Sequence, residues 1–160
     1  LPPLPRIGLQ WVLPGDMDKI RWYGRGPWEN YPDRKHSAFV DVYEASAGEL
    51  LENYPAPQEN GYRSDIRWVE VANEHGLGIR IAGDNLAGFS ALHFSPEDFT
   101  TPQRGMLHTV DLAPKDEVYL HVDHRMMGVG GDSSWGARPH GDYTVFPKPY
   151  TYRVVLKAIE

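Results

Sequence analysis

Residues 65–72 read Asp-Ile-Arg-Trp-Val-Glu-Val-Ala, and residues 77–82 read Leu-Gly-Ile-Arg-Ile-Ala. The first segment alternates its side chains between two faces of an extended strand, with Val69 and Val71 on one face and Trp68 on the other. The residues between the two segments are Asn-Glu-His-Gly, which favour a turn. The pattern therefore predicts two antiparallel strands joined by a short loop.

Similar short segments occur along the whole chain and predict about nine strands, which is typical of an all-β, antiparallel β-sandwich. In the strand predicted at 19–23, Ile20 and Trp22 are expected to lie on one face. Turn residues at 14–16 predict a hairpin between the first two strands, and residues 113–116 predict a pair between 105–112 and 117–124. The nine predicted strands are 6–13, 19–23, 38–44, 65–72, 77–82, 89–94, 105–112, 117–124 and 149–159.

Helix signals are few. Ser95 followed by Pro96 and two acids predicts a helix of one or two turns that ends before Pro102. Residues 44–53 predict either a short helix or an irregular loop. The proline-rich residues 1–5 predict an extended tail, and residues 6–160 predict one β-sandwich domain.

The composition excludes several classes of protein. With 160 residues, 41% of them hydrophobic and 24% charged, the chain is long enough for a globular core. A net charge of −6 argues against nucleic-acid binding, and no apolar run is long enough for a transmembrane helix. The absence of cysteine excludes disulfides and thiol catalysis. The first residues, Leu-Pro-Pro, lack both an initiator methionine and the pattern of a secretion signal, so we expect a piece of a longer polypeptide.

The candidate binding segment is residues 128–136, which read Gly-Val-Gly-Gly-Asp-Ser-Ser-Trp-Gly. Gly130 and Gly131 permit a positive φ or a close backbone approach, and the short polar side chains of Asp132 and Ser134 can bond to the local backbone. A tryptophan in such a loop either meets a flat ligand such as a sugar ring or closes the end of the sandwich. Residue types alone leave both alternatives open for Trp135.

Two further segments carry a resemblance to a known family. Residues 24–34 read Gly-Arg-Gly-Pro-Trp-Glu-Asn-Tyr-Pro-Asp-Arg, and residues 57–61 read Pro-Gln-Glu-Asn-Gly, with Arg63 after them. Together with Leu-Pro-Arg-Ile-Gly at 4–8 and the tryptophan segment, they occur in the order found in the C-terminal domain of large bacterial β-galactosidases of glycoside hydrolase family 2. From about residue 4 to its end, the chain resembles that domain.

The resemblance implies a galactose mutarotase-like supersandwich, of which this chain forms one part. It implies that Trp135 is a platform for the sugar next to the cleaved bond, and that Asp132 and Ser134 hold the loop. In that family the catalytic glutamates lie on a TIM barrel, and magnesium and sodium are bound by other domains. We therefore assign no catalytic residue, metal or cofactor to this chain and expect it to be inactive alone. Its expected partners are the rest of a β-galactosidase chain, galactosides such as lactose and further copies, with no membrane, in the bacterial cytoplasm or periplasm.

Three other groups of polar residues could carry chemistry. Glu29 and Glu59 could be acid–base groups. The better interpretation is a turn locked by the side chains of Glu29, Asn30, Asp33 and Arg34. In this turn Arg34 is expected to form an ion pair with Asp33 or with Glu29. His121 and Asp123 share one face of a predicted strand and His124 faces the other way, which is too few ligands for a metal. Arg138 and His140 either line a sugar site or belong to a solvated loop.

These observations leave three hypotheses for function. The first is a β-galactosidase domain that contributes a tryptophan to the substrate site. The second is a free-standing carbohydrate-binding sandwich. The third is an aldose epimerase-like enzyme, which would need an acid and a base across a complete sugar cleft.

Overall fold

The computed structural model describes residues 1–100, 108–133 and 135–160, and in this part the chain is an antiparallel β-sandwich. The predicted all-β fold is confirmed. Short 3₁₀ turns cover Pro96–Phe99, Thr109–Asp111 and Gly141–Tyr143, and no helix of the described part is long and apolar enough to cross a membrane. The strands are β1 Arg6–Leu13, β2 Lys19–Gly26, β3 Phe39–Ser46, β4 Arg63–Ile66, β5 Trp68–Ala72, β6 Gly78–Gly83, β7 Ala87–Leu92, β8 Val118–Met126 and β9 Val154–Ile159.

The strands form two sheets. One sheet has the order β1-β8-β7-β4 and the other has the order β3-β2-β5-β6-β9. The predicted pairing of residues 68–72 with the following strand is confirmed, since Val69 of β5 lies opposite Ile81 of β6. Both of these side chains are fully buried, as alternation with one face towards a core requires.

The core lies between the two sheets. Ile20 and Trp22 of β2 are both 1% exposed, which confirms that they share one face and shows that this face is turned to the core. The Trp22 ring lies 5.5 Å from the ring of Phe89 on β7, so this aromatic contact joins the two sheets. Other fully buried core residues are Leu50, Ile66, Val69, Val71, Ile81, Val118 and Leu120.

The predicted hairpin between the first two strands is wrong. β1 pairs with β8, whereas β2 pairs with β3 and β5 in the other sheet. The turn at 14–17 is present, with the Met17 amide donating to the Pro14 carbonyl at 3.0 Å. It carries the chain from one sheet to the other, and the same turn residues serve either connection.

The predicted single strand 65–72 is also wrong, because β4 and β5 lie in different sheets. The chain turns the corner at Asp65, whose φ of 53° is left-handed. The carboxylate of Asp65 accepts hydrogen bonds from Arg25 Nε at 2.7 Å and from Lys35 Nζ at 2.8 Å, and these bonds hold the corner. Left-handed backbone at a non-glycine residue requires such support from its surroundings.

Other predicted boundaries moved. The short 3₁₀ turn after Ser95 is confirmed, although its predicted end at Pro102 lies outside the described residues. Residues 105–107 also lie outside them, and residues 109–111 form a 3₁₀ turn, so the strand predicted at 105–112 is wrong in its described part. β8 pairs with β1 and β7 instead. The strand predicted from 149 begins at Val154, and residues after Ser46 form turns without a helix.

Candidate functional site

The four sequence segments that carry the resemblance lie together in the fold. Arg6 of the first segment contacts Glu59 at 3.3 Å, and the Gly61 amide donates to Glu29 Oε2 at 2.8 Å. The Gly130 amide in turn donates to Asp33 Oδ2 at 2.7 Å. We call this meeting point the junction. Polar motifs that are far apart in the sequence are therefore in contact in the fold.

The candidate sugar-binding tryptophan lies on a loop of residues 127–145, which we call the tryptophan loop. Three backbone hydrogen bonds close its base: Met127 N to Pro5 O at 2.9 Å, Leu4 N to Val145 O at 2.8 Å and Gly128 N to Tyr143 O at 2.8 Å. Both ends of the loop are thus fixed to residues 4–5, directly before β1. These bonds therefore hold the two ends of the loop close together on the sandwich.

Glycines let the tryptophan loop fold tightly. A Cβ atom at Gly131 would overlap the carbonyl oxygen of Ala137, where the two sides of the loop approach each other. A Cβ atom at Gly128 would lie 2.7 Å from Cγ of Asp33, and Gly136 has a φ of +94°. The first two positions need glycine for close approach, and Gly136 needs it for its backbone conformation.

The tip of the tryptophan loop exposes its aromatic ring. Trp135 is 95% exposed, and its backbone amide donates a weak hydrogen bond to Ser133 Oγ at 3.4 Å. His140 Nε2 lies 2.8 Å from Asp132 Oδ1, and this contact braces the two sides of the loop. Arg138 is exposed on the same loop, and Ser134 lies outside the described residues. Asp132 and His140 thus contact each other, and Trp135 lies on the same loop.

The Glu29 carboxylate is surrounded by donors from the protein itself. Besides the Gly61 amide, the Arg34 guanidinium and the Tyr54 hydroxyl both bind its Oε1 atom. Its side chain is only 7% exposed. An acid with these partners holds a turn in place and has little access to a substrate.

The neighbouring residue Asn30 is fully buried and joins the 29–34 turn to β4. Its amide N–H donates to the Tyr62 carbonyl at 2.8 Å, and its Oδ1 accepts from the Ser64 amide at 3.0 Å. The Arg34 guanidinium covers the Tyr31 ring at 4.9 Å from its centroid. The turn is therefore joined to β4 by hydrogen bonds on one side and covered by the Arg34 guanidinium on the other.

A buried polar cluster around Arg6 was not predicted from the sequence. One guanidinium nitrogen of Arg6 lies 3.1 Å from Asp123 Oδ2, and another lies 3.1 Å from His121 Nδ1. Burial raises the pKa of Asp123 to about 7, although Arg6 acts against this shift. Burial and then the Arg6 charge lower the pKa of His121 to about 4. The signal in the sequence was an arginine at the start of a strand and a His-x-Asp pair on another.

His124 faces away from this cluster, as predicted for alternating positions of β8. Its ring stacks on Tyr152 with the centroids 5.1 Å apart and the planes at 4°. Within residues 1–100, 108–133 and 135–160, no group of three or more His, Asp or Glu residues is arranged to hold a metal ion.

An open cleft of about 490 Å³ lies beside the junction. Pro32 and Met126, which form part of its wall, directly precede Asp33 and the tryptophan loop. Lys35, Asp65 and His124 also line it, so its wall carries both charged or polar and apolar side chains.

Replacing Glu29 with glutamine tests whether this acid is structural or catalytic. We expect the free energy of unfolding to fall by about 1–3 kcal/mol, because the charged bond to Arg34 is lost. In a full-length enzyme that contains this chain, we expect kcat to change by less than about tenfold, whereas loss of a general acid costs about 10²–10⁴-fold. Glu44→Gln on β3, where the side chain is 73% exposed, is the control and should change neither quantity. A loss of kcat within the catalytic range would contradict the structural role.

Known proteins of one family match nearly the whole chain. A family model described as β-galactosidase small chain matches residues 2–156. Among curated proteins, the chain is 36% identical to a β-galactosidase of Priestia megaterium over 99% of this chain and 15% of that protein. It is 39% identical to a β-galactosidase of Pseudoalteromonas haloplanktis and 38% identical to one of Vibrio cholerae, each over 98% of this chain and 14% of the relative.

The chain therefore spans about one seventh of the length of the curated relatives it matches. The match extends over nearly all of its own residues and includes all four segments of the junction. This chain belongs to the β-galactosidase small-chain family.

Proposed function

We propose that this chain forms part of an enzyme that hydrolyses terminal β-D-galactosides, and that it contributes Trp135 to the sugar-binding site. The observation that carries the proposal is a 95% exposed tryptophan on a loop whose base is fixed by three backbone hydrogen bonds. Leaving a ring of this size in water forgoes a substantial stabilisation, since aromatic side chains bury about 150–250 Å² at roughly 25 cal/mol per Å². Tryptophan is enriched at contact surfaces, because it combines a large apolar ring with a polar N–H group.

The chemistry of an indole suits a sugar. Its apolar face packs against the C–H face of a pyranose ring, and polar side chains nearby can bond to the hydroxyl groups. His140 and Arg138 are the exposed polar residues of the same loop that support this proposal. Asp132, which is bound to His140, acts by holding the shape of the loop.

We assign the bond-cleaving carboxylates to another part of the full-length protein. Retaining glycosidases need two carboxyl groups about 5 Å apart with access to the substrate. The acids of the junction have other partners: Glu29 binds Gly61 and Arg34, and Asp33 binds Gly130. The family resemblance supports catalytic glutamates on a TIM barrel, and magnesium and sodium on other domains.

The test is hydrolysis of a chromogenic β-galactoside by three samples: this chain alone, the remainder of the enzyme alone, and their mixture. We expect activity only in the mixture, because each part lacks what the other supplies. Activity of this chain alone would contradict the proposal, and Glu29 and Glu59 would then be the first acids to replace.

The exposure of Trp135 also favours a second candidate, a sugar-binding module that acts alone. Titration of the isolated chain with galactose and with glucose separates the two functions. Saturable binding that Trp135→Ala abolishes would support the module. We expect no saturation at millimolar sugar, because one exposed ring buries only one face of a pyranose.

A further inference from the structure

We infer that Asp33 is a positioning residue for Trp135: its carboxylate holds the tryptophan loop in the position in which the indole contacts the sugar. This inference rests on the proposed function of Trp135. Asp33 itself has no contact with the indole and belongs to a segment 97 residues away from the glycine that it binds. It would act on the sugar site through the backbone of the loop alone.

The geometry of the contact is specific. Asp33 Oδ2 accepts the Gly130 N–H at 2.7 Å, a short, charge-assisted bond. The carboxyl group also lies in the space that a side chain at Gly128 would occupy, 2.7 Å from the position of its Cβ. Asp33 thus contacts the loop at Gly128 and at Gly130, just before the tight approach of Gly131 to Ala137.

The support of Asp33 is rigid. The Arg34 amide donates to the Tyr31 carbonyl at 2.9 Å, which closes a turn around Asp33. Glu29 and Asn30 connect the same turn to Gly61 and Ser64 through hydrogen bonds. A displacement of Gly130 relative to the sandwich therefore has to break the bond to Asp33, because the support below it is fixed.

Asp33 differs from the other anchors of the loop. The contacts at the base are backbone–backbone bonds, which form with almost any side chain. Gly130, by contrast, is bound by a side chain, that of Asp33. This bond lies beyond the base of the loop, closer to Trp135. Removing the carboxylate should leave the base closed and release the part of the loop that carries the indole.

The second carboxylate oxygen of Asp33 supports a role beyond stability. Oδ1 is buried and has no hydrogen-bond partner among the residues that the structure describes. A buried, unpaired polar atom costs about 1–3 kcal/mol. A side chain selected only to stabilise this turn would avoid that cost, so its presence fits a requirement for an oxygen that accepts the Gly130 N–H.

The test uses full-length β-galactosidase that contains this chain. The variants are Asp33→Ala, Asp33→Asn, Trp135→Ala and the double variant Asp33→Ala with Trp135→Ala. The measurements are kcat for an aryl galactoside and the inhibition constant of D-glucose, the sugar that lactose carries on the leaving side of its galactosidic bond and that we propose to bind against Trp135. Asp16→Ala is the matched control, because Asp16 is exposed in the turn after β1, at the end of the strand opposite the junction.

We expect Asp33→Ala to weaken glucose binding by about tenfold, with kcat changed by less than about threefold. Asp33→Asn should bind glucose within about threefold of the parent, because its amide oxygen can accept the Gly130 N–H. The double variant should bind glucose no more weakly than Trp135→Ala alone, because both changes act on one contact. Asp16→Ala should match the parent in both measurements.

Two outcomes overturn the inference without affecting the proposed function. One is unchanged glucose binding in Asp33→Ala while Trp135→Ala binds more weakly, and the other is fully additive losses in the double variant. Unchanged glucose binding in Trp135→Ala would instead overturn the proposed function itself. If Asp33→Ala does not fold, Asp33→Ser, whose hydroxyl is too short to reach Gly130, replaces it with the same expected loss.

Discussion

At about pH 8.5, replacing Arg6 with methionine is expected to lower the free energy of unfolding of this chain by about 2–3 kcal/mol. Methionine keeps most of the apolar stem of arginine but removes the charge that faces Asp123 at 3.1 Å. Asp123 is 1% exposed, so its carboxylate would remain buried without a cation. Glu59 would lose the same partner at its more exposed position.

The effect of Arg6→Met should depend on pH in a defined direction. The pKa of Asp123 is raised from 3.8 in the unfolded chain to about 7 in the fold, so its contribution to stability is present below 3.8 and is lost as pH rises to about 7. Near pH 5 the folded chain already holds this carboxyl in its protonated form, with or without Arg6. There the substitution should cost only about 1 kcal/mol, for the lost hydrogen bonds.

Urea unfolding at the two pH values measures both expectations. Arg21→Met on β2 is the control, because the Arg21 side chain is 49% exposed and pairs with the exposed Glu44. Its second partner, Glu70, keeps a closer cation in Arg80 at 2.7 Å. The control substitution should cost less than about 1 kcal/mol at either pH. An equal loss from Arg6→Met at both pH values would mean that Asp123 does not depend on the charge of Arg6.

Replacing Trp135 with alanine in the full-length enzyme is expected to weaken glucose binding by about 10–100-fold. The loss corresponds to roughly 1.5–3 kcal/mol, which is the stabilisation that burial of one large apolar side chain contributes. Because the ring is 95% exposed in this chain, its removal should leave the stability of the chain unchanged.

The kinetics of the Trp135→Ala enzyme should separate binding from bond cleavage. We expect kcat for an aryl galactoside to stay within about threefold of the parent, since no bond-cleaving group is removed. Leu156→Ala, which removes a half-exposed apolar side chain from β9 in the other sheet, is the control and should leave glucose binding unchanged. An equal effect of both substitutions would refute a specific sugar contact at Trp135.

Local patterns in the sequence predicted the strands better than their partners. The β5–β6 pair follows from alternation that ends at a turn around Gly76, where the φ is +85°. The corner at Asp65 stayed hidden because neither glycine nor proline interrupts the alternation there, and long-range contacts to Arg25 and Lys35 hold its left-handed backbone. The turn at 14–17 was visible, but turn residues do not state whether the next strand joins the same sheet.

The candidate site shows the same division. Glycines and a tryptophan in one segment marked the loop, and the family resemblance gave Trp135 its expected role. The contacts that hold this loop were not predictable from local patterns, since Arg6 meets Asp123 and Asp33 meets Gly130 across most of the chain. Such pairs become visible only when the order of the strands is known, because no local propensity encodes them.

The most direct test of the central claim, that Trp135 forms part of a sugar site, is ¹⁹F NMR of full-length β-galactosidase labelled with 5-fluorotryptophan. Trp135→Phe identifies the resonance of this residue by its disappearance. We predict that this resonance shifts when D-glucose is added, and that the shift saturates at the inhibition constant measured by kinetics. A Trp135 resonance that stays in place at saturating glucose would contradict the claim.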